Sequence, residues 1–188
     1  MCSSDLERAR LFATAAHAAV GQKRKYTGED YIVHPVEVMN LVSVALGATD
    51  EMRAAALLHD VLEDTEVTYA VLHQEFGLVV ADYVLWLSDV SKPEDGNRSY
   101  RKMLDRQHIA AAPAEVQTIK VADLIANTRS ILAYDKDFAK VYLEEKRLLM
   151  DVLTKADPGL RARALQQLDE GIRELEQARL DKALAKSA

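Results

Sequence analysis

Apolar residues recur along this chain at intervals of three and four, and that period, sustained over most of its length, leaves little room for anything but helices. Between Asp5 and Val20 the positions Leu6, Ala9, Ala13, Ala16 and Val20 share one helical face, and Gly21 can close the segment. Residues 22 to 33 lose the pattern and contain Gly28, which predicts a loop. The loop leads to Pro35, suited to the first position of a helix that runs to Gly47, and His34 falls at its mouth. Thr49 or Asp50 caps a third helix through Met52, Ala55, Leu58 and Leu62. Helices are predicted over 68 to 76, ended by Gly77, and over 78 to 90, before a loop from Ser91 to Gly96. Asn97 caps a helix to about Ala112, and Pro113 opens one to about Leu132. Another spans about 137 to 156, and the last begins at Asp157-Pro158 and reaches about residue 185.

No segment alternates apolar and polar residues between hairpin turns, so the expected fold class is all-α, a single helical bundle over residues 1 to 188. In the last helix Leu165, Leu168, Ile172 and Leu175 have heptad-like spacing, which implies packing on the chain's own body, with a homodimer contact as the alternative.

The third helix carries the sharpest local conflict. Its run Leu57-Leu58-His59-Asp60-Val61-Leu62-Glu63-Asp64 sets one imidazole and three carboxylates among apolar neighbours, on one broad side of the helix. Burying such carboxylates costs roughly several kcal/mol each unless they are paired or coordinate a cation. A bound metal resolves the conflict. His34, in Val33-His34-Pro35, and Asp123, in Val121-Ala122-Asp123-Leu124, are the best candidates to complete a mixed nitrogen and oxygen shell with His59 and Asp60. Two imidazoles and two carboxylates leave room for water on a six-coordinate ion, which suits manganese or iron(II); zinc is less natural there. A lone His-Asp pair says little; it is the joint set of His34, His59, Asp60, Glu63, Asp64 and Asp123 that points to a metal. His17, on an alanine-rich stretch, reads as a packed or partly exposed histidine, and His73 and His108 read as surface positions.

The formal net charge of −6 disfavours wholesale binding to a nucleic-acid backbone. A small anionic substrate requires instead a local cationic pocket, and Lys23-Arg24-Lys25 is the densest basic cluster of the first half. The single cysteine, Cys2, excludes a disulfide framework within the chain, and no apolar run approaches the roughly 20 residues of a spanning helix. A reducing, cytoplasmic setting without membrane insertion is the expectation.

Taken together, Gly21-Gln22, the run Gly28 to Pro35, the run Ala55 to Thr65, and the run Ile119 to Ser130 resemble, in order, the motifs of the RelA/SpoT hydrolase domain in the HD superfamily. The likeness is closest to its stand-alone small alarmone hydrolases and spans about residues 5 to 150. The resemblance implies His34, His59, Asp60 and Asp123 as ligands, Mn²⁺ as the ion, and Glu63 with Asp64 as the pair that activates or positions water. It also implies removal of the 3′-pyrophosphate from guanosine tetra- or pentaphosphate. Arg24, or Lys25, would lie against the purine, Asn127 would meet the nucleotide and Ser130 the sugar; Lys92, Arg98 and Arg101 are candidates for phosphates. Ala126-Asn127 stands where relatives often read His-Asn, and Gly28-Glu29-Asp30-Tyr31-Ile32 where many read Gly-x-Pro-Tyr-Ile. With little chain after residue 150, a hydrolase without the synthetase half is expected. The alternatives are an HD phosphohydrolase acting on another nucleotide or a phosphorylated nicotinamide cofactor, and a nucleotide-binding module without turnover.

Overall fold

A computed structural model describes residues 3–187. They form α1 (Ser3–Ala19), α2 (Val33–Val42), α3 (Asp50–Leu58), α4 (Val61–Asp64), α5 (Tyr69–Phe76), α6 (Leu78–Leu87), a 3₁₀ turn at Pro93–Asp95, α7 (Arg98–Ala111), α8 (Ala114–Tyr134), α9 (Lys136–Val152) and α10 (Pro158–Ser187). Among the described residues there is no strand; an isolated antiparallel bridge between Lys23 and Asp30 pins the loop between α1 and α2. The fold is all-α, as expected. None of these helices is long and apolar enough to cross a membrane. Cys2 lies outside the described residues.

The caps read from the sequence are made. Thr49 accepts from the Met52 N–H at 3.2 Å and Asn97 from the Tyr100 N–H at 3.0 Å, each satisfying an amide that the first turn leaves orphaned. α8 is buried on most sides through its middle, with Val116, Ile119, Val121, Ala122, Leu124 and Ile125 buried beside Gln117, Thr118 and Asp123, and it runs against α2, α3, α6, α9 and α10. The charged residues it carries inward therefore sit at the centre of the fold.

Three expectations change in detail. The third predicted helix is interrupted: α3 ends at Leu58 and α4 starts at Val61, with His59 and Asp60 between. His59 Nδ1 lies 2.8 Å from the Ala56 carbonyl, the oxygen an unbroken helix would offer to the Asp60 N–H. The side chain thus replaces a backbone donor, and the chain turns at the two candidate ligands. The second helix starts two residues before Pro35, which a first turn tolerates because the missing N–H has no partner there anyway. In α10 Leu160, Ala164, Leu168 and Gly171 are buried and Ile172 and Leu175 half-buried, whereas Leu165 is exposed, so the packed stripe keeps three of the four expected positions and loses Leu165.

Candidate metal centre

Three separate stretches bring the four expected ligands to one point: His34 in the first turn of α2, His59 and Asp60 at the α3–α4 break, and Asp123 in the middle of α8. His34, His59 and Asp123 are buried, and Asp60 keeps a partly exposed side chain. His34 Nε2 is 3.1 Å from Asp123 Oδ1 and 3.8 Å from Asp60 Oδ2. His59 Nε2 is 3.0 Å from Asp60 Oδ2 and 3.8 Å from Asp123 Oδ1. His34, His59 and Asp60 alone form a group able to hold an ion.

The hydrogen-bonding pattern fits a cation. A carbonyl can only accept, so the contact to Ala56 places the His59 proton on Nδ1 and leaves the Nε2 lone pair facing the carboxylates. His59 Nε2 is buried and lies near both carboxylate oxygens, yet in hydrogen-bonding geometry to neither. Lone pairs converging in this way require positive charge between them. The electrostatics of the four side chains say the same: burial pushes the His59 pKa down, but Asp60 and Asp123 together hold it well above its ordinary value. Burial would raise Asp60 and Asp123, but the charge of His59 holds Asp60 low, and Lys120 and the two imidazoles hold Asp123 well below the usual carboxylate range. A proton or a metal satisfies these groups, and the mixed imidazole and carboxylate set suits a divalent ion.

Around the ligands lies a shell of orienting groups. Tyr31 donates to Asp60 Oδ2 at 2.5 Å. The Asn127 amide donates to Asp123 Oδ1 at 2.6 Å, and Lys120 Nζ is 3.1 Å from Asp123 Oδ2. Glu63 Oε1 accepts the Asp89 N–H at 2.6 Å, and Gln22 Nε2 donates to Asp64 Oδ2 at 2.8 Å. Glu63 is exposed on one side, yet the surrounding protein still desolvates its carboxylate. That burial, then the Asp89 carboxylate, lifts its pKa to about 7 against the pull of Lys120.

A cavity of about 250 Å³ opens beside Asp123 and Lys120 between α6, α7, α8 and α9. Asn127, Phe138 and Tyr142 line its wall, and Arg98 and Lys102 bring positive charge. Of the three cations suggested for phosphates, Arg98 lines this cavity, held by a two-pronged ion pair to Glu145 at 2.7 and 2.9 Å; Lys92 and Arg101 do not. Arg24 and Ser130 come together, Nη2 to Oγ at 3.2 Å, with the guanidinium 5.9 Å from the Tyr31 ring centre. Lys25 turns away to Asp135 at 3.2 Å. His73 is exposed, as expected, but His108 is not a surface residue: it stacks on Trp86 with ring centres 4.6 Å apart and lines the cavity. The polar sequence around it, Arg106-Gln107-His108-Ile109, hides this, because only the packing of α7 against α6 shows which face turns inward. The sequence assigns no role to Lys120, Tyr31 or Gln22, although all three stand within the quoted motifs, and His17, expected to be packed or partly exposed, is buried; the spacing of Lys120 three residues before Asp123 was the one available signal.

An all-α body with a two-histidine, two-aspartate centre defines the class: residues 9–147 match the model of the HD domain, and the chain belongs to that family. Its sequence is 32% identical over 146 residues to the guanosine-3′,5′-bis(diphosphate) 3′-pyrophosphohydrolase of Aquifex aeolicus, covering 76% of this chain and 20% of that protein. It is 37% identical over 132 residues to the bifunctional (p)ppGpp synthase/hydrolase SpoT of Escherichia coli, covering 67% of this chain and 18% of that protein. The chain thus spans about a fifth of the length of these curated relatives. Among solved structures it is similar to a metazoan ortholog of SpoT, described as hydrolysing ppGpp, with a TM-score of 0.78 and 25% identity over 93% of this chain and 97% of that one. A Listeria monocytogenes protein shares the fold, with a TM-score of 0.62 and 23% identity over 74% of this chain and 99% of that one.

Proposed function

We propose that this chain is a metal-dependent phosphohydrolase that converts guanosine 3′,5′-bis(diphosphate) and water into GDP and pyrophosphate. The observation that carries the reading is the convergence of His34, His59, Asp60 and Asp123 beside a carboxylate whose pKa is about 7 and a cavity lined by Arg98, Lys102 and Lys120 among paired carboxylates. The likeness to proteins named as ppGpp hydrolases supports the choice of substrate.

The four ligands would hold Mn²⁺, or Fe²⁺ or Zn²⁺ in its place, and the ion supplies Lewis acidity to the phosphoryl group. The chain's own residues do the rest. Glu63 accepts a proton from the attacking water, a task for which a pKa near the working pH is best suited. Asp64, fixed by Gln22, orients that water. Lys120, Arg98 and Lys102 offset the charge of the phosphates, and Asn127 holds Asp123 in place beside them. Arg24 lies against the purine, backed by Tyr31, with Lys25 at the rim and Ser130 toward the sugar. The water oxygen bonds to the phosphorus on the 3′ oxygen, that P–O bond breaks, and the 3′ oxygen leaves as a hydroxyl. We place the enzyme in the cytoplasm, acting on a small nucleotide and on neither nucleic-acid polymers nor membranes, with α10 as the surface on which a homodimer would form.

The test incubates metal-stripped protein with guanosine tetraphosphate, with and without Mn²⁺, and follows both products. Metal-dependent appearance of GDP and pyrophosphate in equal amounts is expected. A metal-loaded protein that releases neither refutes this substrate and directs the search to other phosphorylated nucleotides.

A further inference from the structure

α1 ends at Ala19, and the left-handed φ of 69° at Gly21 turns the chain back so that the Gly21 and Gln22 N–H groups bond the Ala18 and His17 carbonyls at 3.0 Å. The turn lays the Gln22 side chain between two groups from distant parts of the sequence. Its Nε2 is 2.8 Å from Asp64 Oδ2, and its Oε1 is 2.6 Å from His17 Nδ1. His17 is 1% exposed and carries no expected role.

The chemistry of the three groups fixes every proton in this chain of contacts. An ionised carboxylate only accepts, so the atom facing Asp64 is the amide nitrogen of Gln22. The amide oxygen then faces His17, and an oxygen only accepts, so Nδ1 carries the imidazole proton. Burial pushes the His17 pKa down, leaving the ring neutral at pH 7 with one proton to place. Nε2 is buried without a partner, as the unprotonated nitrogen of that tautomer would be. The ring is also held against Tyr31, centres 4.6 Å apart, so it cannot swing away from Gln22 without disturbing the group that bonds Asp60.

We propose that His17 and Gln22 are positioning residues for catalysis: His17 locks the orientation of the Gln22 amide, and Gln22 holds the Asp64 carboxylate toward the reacting water. The proposal rests on Asp64 taking part in the reaction, and the experiment separates the two ideas. Asp64→Asn, His17→Leu and His17→Asn are compared with the unaltered protein for kcat, KM, Mn²⁺ affinity and thermal midpoint. The asparagine amide can present an N–H where Nδ1–H stood, whereas leucine fills the space without a donor. Expected is a kcat about 10- to 100-fold lower for His17→Leu. KM and metal affinity should change by less than about twofold, with His17→Asn recovering most of the loss. Nitrogen NMR of the metal-stripped protein should place the His17 proton on Nδ1, a reading that needs neither metal nor turnover. An Nε2–H tautomer, or equal kcat for His17→Leu and the unaltered protein while Asp64→Asn is inactive, overturns the positioning role alone. Equal losses in His17→Leu and His17→Asn, with lowered thermal midpoints in both, show packing instead and overturn it too. Full activity of Asp64→Asn sinks the underlying reading of Asp64 and this one with it.

Discussion

Burial and the Asp89 carboxylate raise Glu63 to about 7, so a base needed in its ionised form is lost to protonation as the pH falls through that value. We expect kcat/KM to drop about tenfold per pH unit below about 7, and Glu63→Gln to lose about 10²- to 10⁴-fold in kcat while retaining bound metal. A pH-rate profile with a metal assay checks both; a variant with normal turnover removes Glu63 from the mechanism. Lys146 makes a second residue-scale case. It is fully buried, donates to Thr128 Oγ1 at 2.8 Å and Gln167 Oε1 at 2.9 Å, and burial lowers its pKa to about 7. In the unfolded chain its pKa is about 10.4, so between those values the unfolded state binds more protons and stability rises with pH. Below about 7 the cost of the buried charge is fully present. Urea unfolding between pH 7 and 10 is expected to show Lys146→Met gaining less stability with rising pH than the unaltered protein; parallel profiles would refute the shift.

At the scale of elements, the break between α3 and α4 and the seat of α10 were the features that periodicity misread. The apolar spacing from Met52 to Leu62 predicts one helix, because it records which side faces the core and contains nothing about His59 competing for a backbone carbonyl. The α10 stripe was misread at Leu165 for a similar reason. Leucine spacing marks apolar positions, but α10 also lies close against α8 and α9 at Gly171, where an added Cβ would sit 3.0 Å from Leu132 Cδ1 and 3.2 Å from Leu143 Cδ1. A larger side chain there must displace both leucines. Gly171→Leu should therefore lose about 1–3 kcal/mol despite the better helix propensity of leucine, as read by denaturant midpoint. An unchanged midpoint would mean that α10 shifts freely on its neighbours.

For the whole molecule, the centre ties α2, the α3–α4 break and α8 together, so a cation bound there links fold and function. Saturating Mn²⁺ should raise the unfolding free energy, by about 2.7 kcal/mol at one hundred times its dissociation constant. Asp60→Ala should remove both that increment and turnover, as calorimetry with and without chelator would show; an unchanged metal response in the variant would exclude Asp60 as a ligand. How much of this was legible in the sequence follows from the range over which each interaction acts. Helical periodicity, the Thr49 and Asn97 caps and the oddity of charged residues inside Leu57-Leu58-His59-Asp60-Val61-Leu62 are local, so the sequence by itself determined the all-α class and singled out His34, His59, Asp60 and Asp123. Only the tertiary structure decided which groups meet: Tyr31 on Asp60, Lys120 and Asn127 on Asp123, Gln22 between His17 and Asp64, and His108 against Trp86. Tyr31 and Asp60, Gln22 and Asp64, and His108 and Trp86 are remote in sequence, and even Lys120 and Asn127 reach Asp123 on a side of α8 whose burial the packing sets. Hydrogen bonds and burial depend on distance in space, and spacing along the chain does not encode it.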